Sequence, residues 1–570
     1  MDLKHKIRFF SIENAIKFNG KANPGAVIGK IISEDPELKK DMAAVSKQIN
    51  EIVNEVNKTN FEKLKDEWEK IKPKDVPKEH KPKKEEKENK KELPPLEGAV
   101  MGEVVTRLPP EPSKYNHIGH AFSFLINYFY AKKYNGKCLL KFEDTNPEKC
   151  TQEFVDAMIE DLTGYLDIKP DKIILISDDM EYMYEQAKRL IELKKAYVCF
   201  CDRNKMQDQR HQGIECECRK NKAEKNIKLW EDMLSKKYKE EECTLRLKAD
   251  MQSENQVMRD PVIFRISYTP HFKLGNKYCV WPLYDFENSV EDSKYGVTHV
   301  LRSIEFGTMR AELQNFIKDA LGFKRQIVKE YGRFNIQGAI SQGREIRELI
   351  ETGKVSGWDD PSLVTLKALK RRGIVKEAIY DLVYEVGLSS NTSKSIDWSL
   401  IESINRQILD PIANRYFFVD DPVEIKIEDA PKLKPELKLH PEHPEKGKRI
   451  FETHDKFYIA KSDHERFKDK YLIRLMDCLN FEVDGKKFIF HSREHDEYKE
   501  KGKMIIHWLP VSKELVHVEI RMPDNSIRKG LAEHGVKNLR VGDNIQFARF
   551  GFCRLDAIEK DKLVFWFTNK

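Results

Sequence analysis

The sequence predicts a multidomain α/β protein built around a doubly wound parallel sheet. Three strand-like runs, each followed by a helical run, succeed one another between residues 99 and 195, a rhythm typical of parallel sheets. The last 150 residues instead contain short β runs separated by Gly, Asp, Asn and Pro, which predict one or two β-barrels. A chain of 570 residues is also too long for one core, so several domains are expected.

Each element of the predicted sheet domain has its own pattern. The strands are AVMGEVVTRL, KCLLKFED and DKIILISD, and the helices are HIGHAFSFLINYFYAKKY, TQEFVDAMIEDLTGYLD and MEYMYEQAKRLIELKK. The first helix is apolar on nearly all sides, as expected for a helix packed on a sheet. The rhythm breaks between about 178 and 283, which predicts an insertion, and returns at 281–303. Residues 341–418 have a helical pattern.

These changes divide the chain into seven segments. They are an N-terminal helical unit (1–71), a charged linker (72–96), two halves of the sheet domain (97–177 and 284–340), the insertion (178–283), a helical domain (341–420) and a β-barrel region (421–570). The linker includes KPKDVPKEHKPKKEEKENKKE, whose composition predicts a solvated, flexible segment. A basic arm that contacts RNA is the alternative interpretation of this linker.

The composition excludes several classes of protein. With 40% hydrophobic and 34% charged residues, the chain is predicted to be globular rather than disordered. No apolar run is long enough to span a bilayer, and the N-terminus lacks a signal-peptide pattern. Ten cysteines in a chain of this length do not indicate a disulfide scaffold. We therefore expect a cytoplasmic protein with no membrane partner, and its net charge of +6 permits a polyanionic one.

Two histidines lie between the first strand and the first helix. In RLPPEPSKYNHIGHAFSF, residues 107–124, His117 and His120 stand where an open α/β sheet binds ligands. The helix N-terminus suits phosphates, and both imidazoles could donate hydrogen bonds to a triphosphate as charge develops on it. Gly119 would let a flat base approach the backbone. The alternative is that each histidine only caps the helix or packs.

This stretch resembles the HIGH signature of class I aminoacyl-tRNA synthetases, and its surroundings resemble the glutamyl/glutaminyl branch. Three further segments resemble that branch in the same order along the chain: KFEDTNPEK at 141–149, VWPLYDFENSVEDSKYGVTHVLRSIEF at 280–306 and GWDDPSLVTLKALKRRGI at 357–374. The N-terminal helical unit and the β-rich C-terminus resemble archaeal-type glutamyl-tRNA synthetases. The resemblance covers the chain from about residue 97 onward, and extends less clearly to residues 1–60.

The resemblance implies both the architecture and the reaction. It implies a class I Rossmann-type catalytic domain with an inserted acceptor-end-binding domain, a helical domain, an anticodon-binding all-β barrel region and an N-terminal helical appendage. It further implies that ATP, with Mg²⁺, activates L-glutamate, which is then transferred to tRNA-Glu. Whether tRNA-Gln is also charged stays open. We expect a monomer.

The resemblance also places a glutamate pocket. Glutamate carries two carboxylates and one ammonium, so a selective pocket needs two cations and one anion. Arg107 and Arg302 match the arginines of the family, and Arg302 would meet the side-chain carboxylate. Glu143 matches the acid that holds the α-ammonium, and Tyr284 and Asn288 match polar groups that line the pocket. Surface salt bridges, a structural ion pair and core packing are the alternatives for these residues.

The second signature of the class departs from its usual pattern. Alignment from the GWDDP motif places its loop at AISQGREIR, residues 339–347. Ser341 is retained, whereas Ala339 and Gln342 stand where lysines are expected. Positioned positive charge is needed for this chemistry, so Arg344, Arg347 or the magnesium ion would supply it, with Arg344 preferred. The alternative is that both arginines are solvated charges at a helix start.

Four cysteines predict a structural zinc site in the insertion. They form two Cys-x-Cys pairs, which could supply four thiolates to a tetrahedral ion: Cys199, Cys201, Cys216 and Cys218. Similar zinc-binding inserts occur in the resembling family. Four reduced structural cysteines are the alternative.

Two regions are candidates for RNA contact. Aromatic and arginine side chains of the β region could stack anticodon bases, although alternating aromatics are commonly core: Trp508, Arg549, Phe550, Phe552, Arg554 and Trp566. KALKRRGI could contact phosphates or could be an ordinary solvated helix, through Lys367, Lys370, Arg371 and Arg372.

Three rival functions remain open on the sequence alone. They are a glutaminyl-tRNA synthetase, a small-molecule adenylyltransferase, and a catalytically weak tRNA-binding paralogue. Arg302 disfavours the first, because an arginine pairs better with a carboxylate than with an amide.

Overall fold

A computed structural model describes residues 3–17, 20–35, 38, 42–71, 92–304, 307–332, 334–340, 343–387 and 394–570. The chain forms two compact units, Met1–Lys90 and Lys91–Lys570. Most of the predicted charged linker, residues 72–91, lies outside the described residues. Among the described residues, no helix is long and apolar enough to cross a membrane.

The first unit is helical, as predicted. Its helices are α1 (Leu3–Lys17), α2 (Pro24–Glu34), α3 (Met42–Lys58) and α4 (Phe61–Ile71). Apolar residues at helical spacing on α3, among them Ile49 and Val53, form a core of their own with Ile7 and Leu64. Asn23 caps α2 by accepting hydrogen bonds from two backbone N–H groups of its first turn.

The second unit contains the predicted parallel sheet. β1 (Val105–Leu108), β2 (Lys137–Phe142) and β3 (Lys172–Leu175) pair in parallel in the order β1-β2-β3. β8 (His299–Ser303) and β9 (Ile327–Tyr331) form a second parallel pair. Thr298 donates its backbone N–H to the carbonyl oxygen of Val105 (2.9 Å), which places β8 beside β1. β1 is shorter than the predicted run from residue 99, because Gly102 adopts a left-handed φ of 82° within a turn.

Helices alternate with the strands of the sheet, and the sequence predicts the first three of them. They are α5 (Ile118–Lys133), α6 (Gln152–Ile159), α7 (Met180–Glu192), α10 (Tyr284–Lys294) and α11 (Gly307–Leu321). A π-helical turn over Glu160–Tyr165 continues α6. α5 is buried on nearly all sides, since Leu125 and Phe129 join one core with residues of the helical region.

The insertion contains a four-stranded antiparallel sheet in which each strand pairs with the next one along the chain. Its strands are β4 (Ala196–Cys199), β5 (Thr244–Leu247), β6 (Val262–Ile266) and β7 (Val280–Pro282), with α8 (Arg203–Gln212) and α9 (Ala223–Leu234) between β4 and β5. The apolar side of α7, including Met183 and Leu190, shares a core with this sheet. α7, the first helix of the predicted insertion, therefore packs on this sheet.

A helical region follows the sheet. It comprises α12 (Gly343–Glu351), α13 (Leu366–Arg372), α14 (Lys376–Val386) and α15 (Trp398–Leu409). A short parallel pair, β10 (Phe334–Ile336) with β11 (Lys394–Ile396), interrupts the predicted helical run. Thr365 caps α13, and the backbone of Ile118 donates to the carbonyl of Val364 (3.1 Å), so this region abuts the start of α5.

The C-terminal region is all-β and holds two seven-stranded sheets, ordered β12-β25-β26-β27-β23-β24-β13 and β21-β18-β19-β20-β14-β17-β22. The strands are β12 (Asn414–Tyr416), β13 (Phe418–Asp420), β14 (Pro422–Glu428), β15 (Glu436–Lys438), β16 (Lys448–Ile450), β17 (Lys456–Ala460), β18 (Leu472–Leu475), β19 (Asn480–Asp484), β20 (Lys487–Ser492), β21 (Gly502–Ile506), β22 (Leu509–Pro510), β23 (Val516–Arg521), β24 (Ile527–Ala532), β25 (Asn544–Phe547), β26 (Gly551–Ile558) and β27 (Leu563–Asn569). β15 pairs with β16, and two short helices, α16 (Lys461–His464) and α17 (His495–Lys501), complete the region. The two edge strands of each seven-stranded sheet are neighbours in sequence, so each sheet curls toward a barrel.

Several aromatic residues of this region belong to its cores. Trp508, Phe552 and Trp566 are fully buried, so the alternative of core packing is correct for them and the stacking-platform interpretation is wrong. Arg549 is paired with Asp463 through two hydrogen bonds of 2.6 and 2.9 Å.

Candidate active site

The two histidines begin α5 and lie face to face. His117 is the N-cap residue, and its Nδ1 accepts a hydrogen bond from the backbone N–H of Gly119 (3.0 Å). The Nδ1 of His120 accepts from the backbone N–H of His117 (3.2 Å). An imidazole nitrogen that accepts carries no proton, so a neutral ring at either position has its proton on Nε2. The ring centroids are 3.9 Å apart, which brings both Nε2 groups to one place.

His120 is held neutral. Burial lowers its pKa well below the usual value, and the neighbouring His117 and Lys114 lower it further. Gly119 is needed for this arrangement, because a Cβ there would lie 2.8 Å from Cε1 of His117. The capping interpretation and the donor interpretation therefore coexist: Nδ1 caps the helix and Nε2 presents an N–H.

A buried group of charges joins β1, β2 and α10. Asp292 on α10 accepts a hydrogen bond from Nε of Arg107 on β1 (3.3 Å) and one from Nζ of Lys141 on β2 (2.6 Å). Lys141 also donates to Oδ1 of Asn288 (3.0 Å). Although burial raises the pKa of Asp292, Lys141 and Arg107 bring it below its usual value, so this carboxylate is ionised.

Glu143 faces the same group from the end of β2. Burial raises the pKa of its carboxyl to about 7, while Lys141, a hydrogen bond from Asn288 and Arg107 oppose the rise. Its Oε1 is buried and has no hydrogen-bond partner among the described residues. This oxygen is therefore an acceptor whose partner would come from a ligand.

Tyr284 lies among the predicted pocket residues. Burial raises the pKa of its hydroxyl and the Glu143 carboxylate raises it further, whereas Arg107 and Arg302 lower it. Charges affect a pKa in this way only from nearby, so the three charged groups lie in the neighbourhood of the phenol. The structure thus brings together Arg107, Glu143, Tyr284, Asn288 and Arg302, the five residues predicted to line one pocket.

Arg302, on β8, is fixed by three acceptors. Its Nη1 donates to Oε1 of Gln314 (3.2 Å), and its Nη2 donates to the carbonyl of Gly307 (3.2 Å) and to Oε1 of Glu330 (3.5 Å). Its Nε is buried without a partner in the described part of the chain, as is Nη1 of Arg107. Two arginine N–H donors and the Glu143 carboxyl oxygen therefore have no partner among the described residues. Such a set is complementary to a ligand with two anionic groups and one cationic group.

Sequence reasoning missed Lys141, Asp292 and Gln314. Lys141 stands two residues before Glu143, so the period of a strand gives both side chains the same face. Asp292 follows Asn288 by four residues, one turn along α10. These spacings were available signals, but only the fold shows that the charges pair.

The described residues include only part of the second signature. Ser341 and Gln342 lie outside the described residues. Arg344 is exposed on the first turn of α12. Gly343 packs close to Lys114, since an added Cβ there would lie 3.0 Å from Cδ of that lysine. The start of α12 is therefore near the loop that carries the histidines.

The four predicted cysteine ligands converge in the insertion. Their sulfur atoms all lie within 4.8 Å of one another: Cys199, Cys201, Cys216 and Cys218. Nη1 of Arg246 lies 3.6 Å from Sγ of Cys199 and 3.8 Å from Sγ of Cys216. Four sulfur donors at this spacing fit a tetrahedral zinc ion, and a neighbouring guanidinium would offset the charge of the thiolates.

The basic segment of α13 is mostly paired within the protein. Arg371 donates to Asp556 through Nε (2.8 Å) and Nη2 (2.7 Å), and Lys370 pairs with Glu160 (3.1 Å). Arg372 is buried beneath the ring of Trp398, and Lys367 lies over the ring of Tyr115. The prediction of a phosphate-contacting face is therefore wrong for Arg372.

A parallel sheet with paired histidines at the first helix N-terminus is the arrangement of a class I tRNA synthetase, and the chain matches family models of that class. The model for the catalytic domain of class I tRNA synthetases (E and Q) matches residues 103–411. Two models for the anticodon-binding domain of these enzymes match residues 413–497 and 505–556. The chain belongs to this E and Q family of class I tRNA synthetases.

Curated relatives match the chain over its full length. A glutamate–tRNA ligase of Pyrococcus furiosus is 41% identical over 98% of both chains. One of Pyrococcus abyssi is 40% identical over 98% of both chains, and one of Thermococcus kodakarensis is 38% identical over 100% of both.

Proposed function

We propose that this protein is a glutamate–tRNA ligase. In the first step, glutamate and ATP give glutamyl-adenylate and pyrophosphate, and in the second the glutamyl group passes to the terminal adenosine of tRNA-Glu. The observation that carries this proposal is a set of three buried atoms without a hydrogen-bond partner among the described residues: Nη1 of Arg107, Nε of Arg302 and Oε1 of Glu143. The names of the full-length relatives support the same reaction.

In the proposed pocket, the ligand supplies the missing partners. The α-ammonium of glutamate pairs with Glu143, and its carboxylates pair with Arg107 and Arg302. Tyr284 and Asn288 line the same hollow and fix its shape. A glutamine substrate would leave the Arg302 guanidinium without an anion in a buried place, so the amide is disfavoured.

The histidines serve the nucleotide. The Nε2–H groups of His117 and His120 donate to the α-phosphate as the carboxylate of glutamate attacks it and pyrophosphate leaves. Gly119 and Ser341 belong to the same ATP site, and Arg344 offers positive charge to the leaving pyrophosphate. A bound Mg²⁺ would neutralise phosphate charge during this step.

The second step needs positioning more than acid–base chemistry. The terminal ribose hydroxyl of the tRNA attacks the activated carbonyl, an ester bond forms and AMP leaves. The insertion would hold the acceptor end, and its four cysteines would bind a structural zinc ion. The protein would act as a monomer in the cytoplasm, whose reducing conditions suit a chain in which the ten cysteines form no disulfide.

The proposal is tested by ATP–pyrophosphate exchange and by aminoacylation. Exchange is measured with glutamate or with glutamine, in the presence of tRNA-Glu or of tRNA-Gln. Glutamate-dependent exchange together with glutamylation of tRNA-Glu is the expected result, and exchange with glutamine alone would overturn it. Glutamylation of tRNA-Gln would extend the substrate range.

A further inference from the structure

The side chain that holds Arg302 is itself held by a chain of polar groups on α10 and α11. Gln314 donates through Nε2 to Oδ1 of Asp285 (3.2 Å), and Arg310 donates to Oδ2 of the same carboxylate (2.5 Å). We define Gln314, Asp285 and Arg310 as the Arg302 support. The Arg302 support connects the buried guanidinium of Arg302 to Arg310, whose side chain is partly exposed.

We propose that Gln314 is a positioning residue that sets the preference of this enzyme for glutamate over glutamine. It does so by holding the Arg302 guanidinium in one orientation. The inference rests on the proposed function, because it assigns Arg302 to the side-chain carboxylate of the substrate.

The orientation of the Gln314 amide is fixed by its neighbours. Asp285 can only accept, so the NH₂ group of Gln314 must face it and Oε1 must face Arg302. Arg310 holds the Asp285 carboxylate from the other side. Gln314 is 5% exposed, so water cannot replace it as the partner of Arg302.

A neutral acceptor suits this task better than a carboxylate. An amide oxygen orients a guanidinium without cancelling its charge, so Gln314 leaves more of the positive charge for an anionic ligand than a carboxylate in its place would. The acidic neighbour Glu330 is the more distant acceptor, at 3.5 Å against 3.2 Å for Gln314. Arginine recognises a carboxylate through a planar fork, so a rotation of the plane weakens binding of glutamate more than binding of a neutral amide.

The Arg302 support also contacts a second pocket residue, Tyr284, through Arg310. The guanidinium of Arg310 lies over the ring of Tyr284, 5.4 Å from its centroid. Asp285 therefore couples two pocket residues, Arg302 through Gln314 and Tyr284 through Arg310. Through this coupling, residues of α11 would affect the choice between glutamate and glutamine, although α11 lies outside the motifs by which the chain resembles its family.

The test compares Gln314→Leu with wild type in the full chain. Leucine nearly keeps the volume of the side chain and removes both hydrogen bonds. The KM for glutamate is expected to rise about 10- to 100-fold, as expected when an anchor of a charged group is lost. The KM for ATP and the kcat/KM for glutamine should change less than threefold, so the glutamate-to-glutamine ratio of kcat/KM should fall.

Gln326→Leu is the matched control. Gln326 is similarly buried (8% exposed) and makes two amide hydrogen bonds, but it lies before β9, at the opposite end of that strand from Glu330. Its substitution should cost stability and leave the ratio of the two amino acids unchanged. If Gln314→Leu does not fold, Gln314→Met provides a more flexible replacement for the same measurement.

The outcomes separate the two proposals. An unchanged ratio in a folded Gln314 variant, or an equal loss with both amino acids, would overturn the role of Gln314 and leave the proposed function standing. Absence of glutamate activation in the wild-type protein would overturn the proposed function itself.

Discussion

At the residue scale, the pocket depends on charges that are buried in groups rather than in simple pairs. Asp292 serves Arg107 and Lys141 together, and Glu143 shares the same surroundings. Removing one of these buried charges leaves the others without a partner of opposite sign. A substitution at any one of them is therefore expected to be strongly destabilising. The resemblance could predict Arg107, Glu143 and Arg302, because they match family motifs. Their support could not be predicted, because the need for Gln314 arises only when strand and helix meet.

The elevated pKa of Glu143 predicts a pH dependence of glutamate use. Burial raises the folded-state pKa to about 7, so this carboxyl is neutral below that pH and ionised above it. Only the ionised form attracts the α-ammonium, so kcat/KM for glutamate should fall about tenfold per pH unit below pH 7. The profile is measured by exchange between pH 5.5 and 8.5. In Glu143→Gln the rate should be low and nearly flat, whereas a flat profile in the wild type would contradict the assignment.

The neutral state of His120 predicts that this residue, unlike Glu143, adds no pH dependence to the exchange rate. Its pKa is lowered by burial, so it stays a neutral donor between pH 6 and 8 and contributes no step to that profile. His120→Ala removes one donor to the phosphate, and exchange should fall roughly 100- to 1,000-fold in kcat. An unchanged KM for glutamate serves as the control, because His120 is not assigned to the amino acid. A loss below tenfold would count against the role.

At the element scale, short strands carry the two arginines of the pocket, Arg107 on β1 and Arg302 on β8. β1 has only four residues, because the turn at Gly102 makes the strand begin later than predicted. The strand–helix rhythm was predictable because hydrophobic period distinguishes strands from helices. The positions where strands begin and end could not be predicted, since they depend on local turns. The π-helical turn after α6 was likewise invisible, because one extra residue per turn hardly changes the apolar pattern.

Asp292 on α10 binds side chains on both β1 and β2, and this connection can be tested by removing its carboxylate. Asp292→Ala leaves Arg107 and Lys141 buried without their anion, which should cost about 3–5 kcal/mol locally. Native-state hydrogen exchange of amides in β1, β2 and α10 should accelerate accordingly. Asp484→Ala breaks an exposed pair with Lys470 and should produce no measurable change. Equal protection in Asp292→Ala and wild type would show that the pairing is not stabilising.

At the scale of the whole molecule, domain order was predictable while the use of single surface residues was not. The β-rich C-terminus forms two curled sheets, as the turn-separated runs indicate. Its largest aromatics are core residues, because a small barrel must fill its interior with bulky side chains. Composition therefore identified the region without identifying the side chains that contact RNA.

The insertion gives the last prediction, which concerns metal binding. The purified full chain should contain about one zinc ion per molecule, because four cysteine sulfur atoms within 4.8 Å of one another suit a structural zinc ion with tetrahedral coordination. Cys216→Ser should lose the metal and loosen the insertion, which is measured by elemental analysis and by limited proteolysis. Cys279→Ser is the matched control, since Cys279 is buried in the same part of the chain and its thiol donates to the carbonyl of Met233. That variant should retain the metal. A wild-type protein without zinc, or equal metal content in both variants, would leave the four cysteines as reduced core residues, with Arg246 held beside neutral thiols.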